Sequence, residues 1–468
     1  MLRTPLLHEQ DCIIGMATPP GTSGVAVLRL SGPGVLSLVV PYLYTPKGEK
    51  VAESGFKPRV MRRLNFIDPQ APDVPLDHML VVHFPNPHSF SGEDMVELHG
   101  HGAPVVVKRI MEVLVAHGVR PADPGEFSKR AFFNNKMDLV QAEALMGLIE
   151  ATSLRAAREA SRQMTGTLSE HLMALKDHLV LTYAHLEAAL DFSDEDIEPE
   201  SEGGLLDRLA YVHAGIKKML GTAELGRQMR DGFELAIVGR PNVGKSSLFN
   251  ALSGEDRAIV TDLAGTTRDL NESNLEIHGL PILLVDTAGL RESDDPVERI
   301  GIERAWQRVE RADGIVFVAE AQLGVTLEDK ALLQRLPKEK ALWVWNKLDQ
   351  LEGALPECLQ DWPEEQICGV SCHTGEGLES VVAHIVARME QLPEHGEGVV
   401  IMQLRQQQTL QQAIVLIEEA QEMLANGQWL ELVAEPLTRS IDQLTQLMGN
   451  TDYEDVLGMV FSSFCVGK

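Results

Sequence analysis

Apolar and polar positions change rhythm three times along this chain, and each change predicts a different kind of element. In residues 1 to about 120, short apolar runs are cut by turns. Residues 23–30 (Ser-Gly-Val-Ala-Val-Leu-Arg-Leu) and 80–84 read as strands, with Thr18-Pro19-Pro20-Gly21 and Phe84-Pro85-Asn86-Pro87 as breakers, which predicts an α/β domain. From Lys136 to about Gly226 the spacing becomes three and four, with Leu139, Ala142, Leu145, Met146 and Ile149 on one stripe and a second such run over residues 168–190. These stripes predict helices that pack on one another. Residues 232 to about 390 alternate strand-like runs (233–238, 282–285, 341–345 and 367–370) with helical ones, the sign of a parallel sheet with crossovers. The helical pattern then resumes at Leu410, Ala413, Ile414 and Ile417, and again at Leu437, Ile441, Leu444 and Met448. The expected fold class is therefore α/β plus all-α, multidomain, with one helical domain interrupted by an inserted α/β domain and with residues 221–232 and 393–398 as linkers.

The strongest chemistry sits at the first turn of the inserted domain. Gly239-Arg240-Pro241-Asn242-Val243-Gly244-Lys245-Ser246-Ser247 follows a short buried strand and opens a helix, the setting in which a glycine-rich turn aims backbone N–H groups and a helix N-terminus at phosphate. Lys245 supplies charge for the β- and γ-phosphates, and the Ser246 hydroxyl is placed for Mg²⁺. Three further elements follow in order. Asp262-Leu263-Ala264-Gly265-Thr266-Thr267-Arg268-Asp269 can fold over a γ-phosphate, with Thr267 as second Mg²⁺ ligand. Asp286-Thr287-Ala288-Gly289 ends a strand, where Asp286 can hold a Mg²⁺-bound water and the Gly289 amide can sense the γ-phosphate.

Asn346-Lys347-Leu348-Asp349 decides the base. The Asp349 carboxylate can accept two hydrogen bonds from guanine N1–H and its 2-amino group, whereas adenine offers neither donor. Charge-assisted bonds of about 1.5–3 kcal/mol each make that a strong preference for GTP. Ser371-Cys372-His373 can brace guanine through backbone amides. The position after Asp-Thr-Ala-Gly, where Ras-type enzymes carry a water-orienting Gln, is Leu290, which cannot orient water. The acidic run Arg291-Glu292-Ser293-Asp294-Asp295-Pro296-Val297-Glu298-Arg299 offers replacements, and the Asn242 amide could hold a monovalent cation where no arginine finger is evident.

Composition narrows the classes. A length of 468 residues suits about three domains, and 44% hydrophobic with 24% charged residues is the balance of a soluble globular protein. No run approaches the roughly 18 apolar residues of a membrane span, and the N-terminal residues lack a signal-peptide core, so a cytoplasmic protein without membrane contact is expected. Five cysteines without CxxC spacing argue against a disulfide framework or zinc site. A net charge of −28 excludes a uniformly basic nucleic-acid surface, so RNA contact must be local. Lys108, Arg109, Arg120, Lys129, Arg130 and Lys136 form a candidate patch, with solvated helix faces as the alternative. His99 and His101 suggest a metal, against plain loop residues; the acidic break at residues 191–200 reads as a cation site or a solvated loop.

Together these motifs resemble the tRNA-modifying GTPase family called MnmE or TrmE. The likeness runs from Ala17-Thr18-Pro19-Pro20-Gly21 through Gly265-Thr266-Thr267-Arg268-Asp269, Asp286-Thr287-Ala288-Gly289-Leu290-Arg291 and Glu298-Arg299-Ile300-Gly301 to Phe464-Cys465-Val466-Gly467-Lys468. It implies an N-terminal folate-binding and dimerisation domain at 1–130, a helical domain split into 131–231 and 391–468, and a Ras-like G domain at 232–390. It implies a homodimer that joins the flavoprotein MnmG in a heterotetramer and adds a carboxymethylaminomethyl or aminomethyl group to C5 of the wobble uridine of certain tRNAs. The resemblance further implies K⁺-dependent GTP hydrolysis, with K⁺ ligands at Asn242, Thr261, Leu263 and Thr266 and with Glu298 positioning water. The GTP site then spans residues 242–247, 261–267, 286–289, 346–349 and 371–373. Arg29, Glu97, Lys136 and Lys468 match positions for 5-formyltetrahydrofolate or a related tetrahydrofolate, and Cys465 matches the family's C-terminal cysteine, either a reactive or a buried structural thiol. Rival expectations are a ribosome-assembly GTPase and a stand-alone folate-dependent aminomethyltransferase.

Overall fold

The computed structural model describes residues 11–191, 202–252, 272–277, 280–286, 296–356, 362–390, 399–449, 460–461, 464 and 467. The loop of residues 261–269, Thr287 to Arg291, the acidic stretch 192–200, the linker at 393–398, Cys465 and Lys468 lie outside the described residues. The chain divides into two compact units, Met1–Met146 with Thr445–Lys468, and Gly147–Leu444.

The first unit is built on a seven-stranded sheet. Its strands are β1 (Ile13–Met16), β2 (Ser23–Ser31), β3 (Leu43–Tyr44), β4 (Arg62–Ile67), β5 (Pro75–Phe84), β6 (Met95–Gly102) and β7 (Arg120–Pro121), in the order β3-β4-β5-β6-β2-β1-β7. All neighbours are antiparallel except β1 and β7. Alternation explains the sidedness: Ala26, Leu28 and Leu30 of β2 and Val96 and Leu98 of β6 are buried, while Arg29 and Glu97 point to the opposite face. The helix Pro104–Ala116, with proline where a helix start needs no N–H, buries Ile110, Val113 and Leu114 in the same core. The C-terminal Phe461 and Phe464 join Phe132, Leu139 and Ala142 in a second apolar cluster of this unit.

The second unit contains both helices and sheet. The helix Glu202–Leu220 packs against Thr167–Asp191 and against Leu404–Ala425, so helices from before and after the inserted sheet meet. Leu205, Leu209, Val212 and Ile216, spaced by four, three and four, form its buried stripe. The stretch 221–232, expected as a linker, is instead mostly a helix, Ala223–Asp231. Its buried Leu225 and Met229 pack with Val400 and Met402, and the missing side chain of Gly226 lets the carbonyl of Ile401 lie against the helix.

The inserted sheet comprises β8 (Phe233–Val238), β9 (Glu272–Ile277), β10 (Leu280–Asp286), β11 (Gly314–Glu320), β12 (Ala341–Asn346) and β13 (Ile367–Gly369). The order is β13-β12-β11-β8-β10-β9, parallel except for the β9–β10 hairpin. Phe233, Leu235 and Ile237 face one apolar core, Ala236 and Val238 the other. Burial on both faces is why β8 reads as a near-continuous apolar run.

Candidate nucleotide site

The parallel strands deliver the sequence motifs to one edge of the sheet, where open α/β sheets bind ligands. The phosphate loop leaves the end of β8 and the helix Lys245–Leu252 follows it at once. A side chain at Gly239 would collide with the carbonyl of Val318 on β11, and one at Gly244, whose φ is +100°, with the side-chain amide of Asn346. Both glycines are therefore demanded by close approach. Asn242 has φ 64°, a left-handed conformation that asparagine tolerates, and is exposed at the loop apex. The ammonium of Lys245 donates to the carbonyls of Gly239 and Arg240, each at 2.9 Å. Ser246 and Ser247 stand on the helix's first turn, Ser246 exposed, and Val243 is buried beneath it.

One anchor of this loop escaped the sequence reading. Arg240 Nε donates to Asp329 Oδ1 at 2.8 Å, and Asp329 is fully buried. Asp329 Oδ2 also accepts from the Thr326 amide and hydroxyl, closing a capping box on the helix Leu327–Arg335. The Thr-x-x-Asp spacing was the available signal.

The base-side elements converge on the same loop. Asn346, last residue of β12, donates from Nδ2 to the Val243 carbonyl at 2.8 Å and accepts at Oδ1 from the Cys372 amide at 3.3 Å. Lys347 has φ 65° and its ammonium pairs with Glu320 at 2.8 Å. Leu348 contributes its amide, which donates to the Val370 carbonyl at 3.1 Å. The Ser371 hydroxyl donates to Asp349 Oδ1 at 2.6 Å, and that bond holds the exposed Asp349 carboxyl below its ordinary value of 3.8. The carboxylate that would read guanine is thus kept ionised and oriented. Cys372 is half-buried, and desolvation pushes its thiol up to about 11; His373 is exposed beside it.

Asp286 ends β10 in register with Ile237 of β8, which brings its backbone to the phosphate-loop edge. Glu298 lies in the first turn of the helix Pro296–Arg311. The remaining expected ligands, Thr261, Asp262, Leu263, Ala264, Gly265, Thr266, Thr267, Thr287, Ala288 and Gly289, lie outside the described residues.

In the first unit, Arg29 and Glu97 form an ion pair at 3.0 Å, and Arg29 Nη1 donates to the Gly467 carbonyl at 3.4 Å. The guanidinium lies 5.2 Å from the Phe90 ring centre, while Lys136 lies against Gly92 on the same turn. Arg29 thus touches Glu97, Phe90 and the residue before Lys468, and Lys136 meets the chain two residues after Phe90.

Two expectations are corrected. His99 and His101 are on β6, not in a loop, and each has a carboxylate partner: Glu97 at 3.1 Å and Asp77 at 2.6 Å. The candidate basic patch loses its three arginines to ion pairs, since Arg109 pairs with Asp68, and Arg120 and the buried Arg130 share Asp11 and Glu126, while Lys108 and Lys136 stay exposed. Among the described residues no helix is long and apolar enough to cross a membrane.

Fold and site define a P-loop GTP-binding protein with a sheet-based N-terminal domain and helical segments on either side of its nucleotide domain. A family model described as "MnmE helical domain" matches residues 139–465, and one described as "GTP-binding protein TrmE N-terminus" matches residues 12–136. A curated tRNA modification GTPase MnmE from Aquifex aeolicus (strain VF5) is 40% identical over 460 residues, 98% of this chain and 100% of the relative. Its counterpart from Chromobacterium violaceum is 40% identical over 466 residues, 99% and 100% of the two chains. A solved structure of Aquifex aeolicus Era bound to GDP and aluminium fluoride is 27% identical, covering 40% of this chain and 66% of that one at a TM-score of 0.26. The chain belongs to the MnmE family of tRNA modification GTPases, and is a GTP hydrolase acting in tRNA modification. The ribosome-assembly reading gives way to this assignment.

Proposed function

We propose that this protein is a homodimeric, K⁺-activated GTPase whose cycle, with the flavoprotein MnmG in a heterotetramer, drives addition of a carboxymethylaminomethyl or aminomethyl group to C5 of the wobble uridine of certain tRNAs in the cytoplasm. The observation that carries the K⁺ reading is Asn242, an exposed side-chain amide on a left-handed residue at the apex of the phosphate loop. Leu290 stands where a water-orienting Gln would otherwise act, so both water and charge need other residues.

The roles follow. Residues 242–247 embrace the phosphates, with Lys245 released from its loop carbonyls to the β/γ position. Ser246 and Thr267 hold Mg²⁺, and Asp286 orients one of its waters. Asn242, with Thr261, Leu263 and Thr266, holds K⁺, which when bound supplies positive charge beside the γ-phosphate. Glu298 positions the attacking water through a second water. Asp349 and the loop of Ser371, Cys372 and His373 select guanine. Arg29, Glu97, Lys136 and Lys468 hold the tetrahydrofolate, 5-formyltetrahydrofolate or a relative, that supplies the carbon. The donor set suits it, because cations match a glutamate tail, a carboxylate matches the pterin's donor edge, and Phe90 offers a flat apolar wall.

Replacing K⁺ by Na⁺, or Glu298 by Ala, is expected to remove most GTP turnover. Unchanged rates in both experiments would refute the proposal.

A further inference from the structure

The chain is strongly acidic, with a net charge of −28, yet it acts on a polyanion. The three arginines of the patch that the sequence offered for RNA are held in internal ion pairs. Another concentration of cations exists that no sequence spacing reveals. At the N-terminal edge of β8, β11 and β12, opposite the phosphate loop, a cavity of about 480 Å³ is lined by Arg227, Arg311, Lys340 and Arg388 with Glu224 and Asp313.

Its two carboxylates are already engaged. Arg227 bridges Glu224 and Asp313, and Asp313 also accepts the Glu234 amide at 2.8 Å. Arg227 is held charged by these bonds, its pKa raised although burial opposes it. The other three cations have no carboxylate partner among the described residues. Lys340 donates to the carbonyls of Ala312 at 3.1 Å and Glu310 at 3.4 Å, Arg388 donates to the Glu339 carbonyl, and Arg311 is exposed. Arg311 and Arg388 sit in the last turns of helices, where the helix dipole favours a cation. That preference explains each singly; it does not explain why four of them, from four segments of chain, ring one cavity.

We propose that this cavity grips the phosphate backbone of the tRNA. The inference rests on the family assignment for the nature of the partner and on the cavity alone for the place. Phosphodiester oxygens accept from guanidinium groups in paired bonds, and a convex backbone can seat phosphates against Arg311, Lys340 and Arg388 while Arg227 stays with its carboxylates. The phosphate loop lies at the opposite edge of the same sheet, so tRNA and GTP can be held together.

The test uses the full chain and fluorescently labelled tRNA, with affinity read by anisotropy over a range of salt concentrations. The double variant Arg311→Glu/Arg388→Glu is expected to bind at least about tenfold more weakly, with the log–log salt slope flatter by about one to two, because each lost phosphate contact removes close to one released counterion. Arg439→Glu, an equal charge reversal per residue on the helix Leu430–Leu447, is expected to leave affinity near that of the parent. Melting curves check folding, and the milder Arg311→Gln, at an exposed position, should weaken binding in the same direction. Parent-like affinity and slope in the double variant would overturn the proposal. So would inorganic pyrophosphate that, with the phosphate loop filled by GDP, binds the parent but not the double variant and is not displaced by tRNA, which would make the cavity a small-anion site. If only the assignment to tRNA modification were wrong, no tRNA would bind the parent either.

Discussion

The side-chain amide of Asn346 donates to the carbonyl of Val243 at 2.8 Å across 103 residues of chain, and both partners are buried. The oxygen of that side chain receives the Cys372 N–H. One side chain therefore fixes the phosphate loop, the end of β12 and the base-bracing loop relative to one another before any nucleotide arrives. Gly244 is part of the arrangement, since a Cβ there would occupy the place of the Asn346 amide.

Asn346→Ala should strip this brace. It leaves the Val243 carbonyl and the Cys372 amide without their partner, at about 1–3 kcal/mol for a buried unsatisfied pair. Expected are a lower urea midpoint for the nucleotide-free protein, followed by tryptophan fluorescence, and a GDP affinity reduced by roughly 5- to 150-fold in calorimetry. All five tryptophans lie within Gly147–Leu444, so the fluorescence reports on the right unit. A nucleotide-free midpoint equal to the parent's would show that Asn346 acts only on bound base.

Much of this site was legible because its elements are contiguous in sequence. A phosphate loop announces itself by glycines that other groups must approach closely, and β8 by an apolar run that two cores require. Asp349 and Ser371 were each visible as motif members, but their 2.6 Å bond was not, because register across β12 and β13 decides it. The same holds for Arg240 with Asp329 and for Arg29 with Gly467, pairs joined by crossovers or by the return of the C-terminus. The stretch 221–232 misled because glycine was read as turn chemistry. Gly226 is a packing glycine, where backbone crosses a helix, and Gly221 and Gly232 lie just outside that helix. The basic patch misled for another reason: formal charge counts cations without their partners.

Gly226→Ala tests that packing reading. Alanine in a helix interior gains about 1 kcal/mol over glycine. Here its Cβ would run into the Ile401 carbonyl and come within 3.0 Å of the Met402 Cα, and backbone cannot swing aside as a side chain does. Residues 399–402 are pinned further by Gln163 to the Val400 carbonyl at 2.8 Å and by the Ile401 amide to Thr222 at 3.0 Å. Overpacking of about 1–3 kcal/mol should outweigh the propensity gain. A lower urea midpoint by tryptophan fluorescence is expected, and a raised one would mean the segment yields freely.

The last prediction concerns the buried charges of the first unit. Arg130, with a side chain 4% exposed, donates to Asp11 at 2.7 Å and Glu126 at 2.9 Å and pairs with Glu93 at 3.2 Å, while Arg120 holds Asp11 and Glu126 from the other side. Burial alone would raise the Asp11 and Glu126 pKa values, but the bonds from Arg120 and Arg130 outweigh it and leave both below their ordinary 3.8 and 4.5. A carboxylate depressed in the folded state contributes stability above its unfolded pKa and loses it as pH falls through the folded value. The unit should therefore weaken on acidification below about pH 4.5, through the window set by those two depressed groups. Arg130→Met removes the shared cation and leaves three carboxylates with one arginine, at about 3–5 kcal/mol near neutral pH. Protonation relieves that repulsion, so the gap between variant and parent should narrow as pH approaches 4. This unit holds no tryptophan. Protection of the β1 amides and of the Arg120 amide of β7 against hydrogen exchange, corrected for the intrinsic rate at each pH, is the readout, and a gap that stays constant from pH 7 to pH 4 would show that Arg130 stabilises by packing and not by charge.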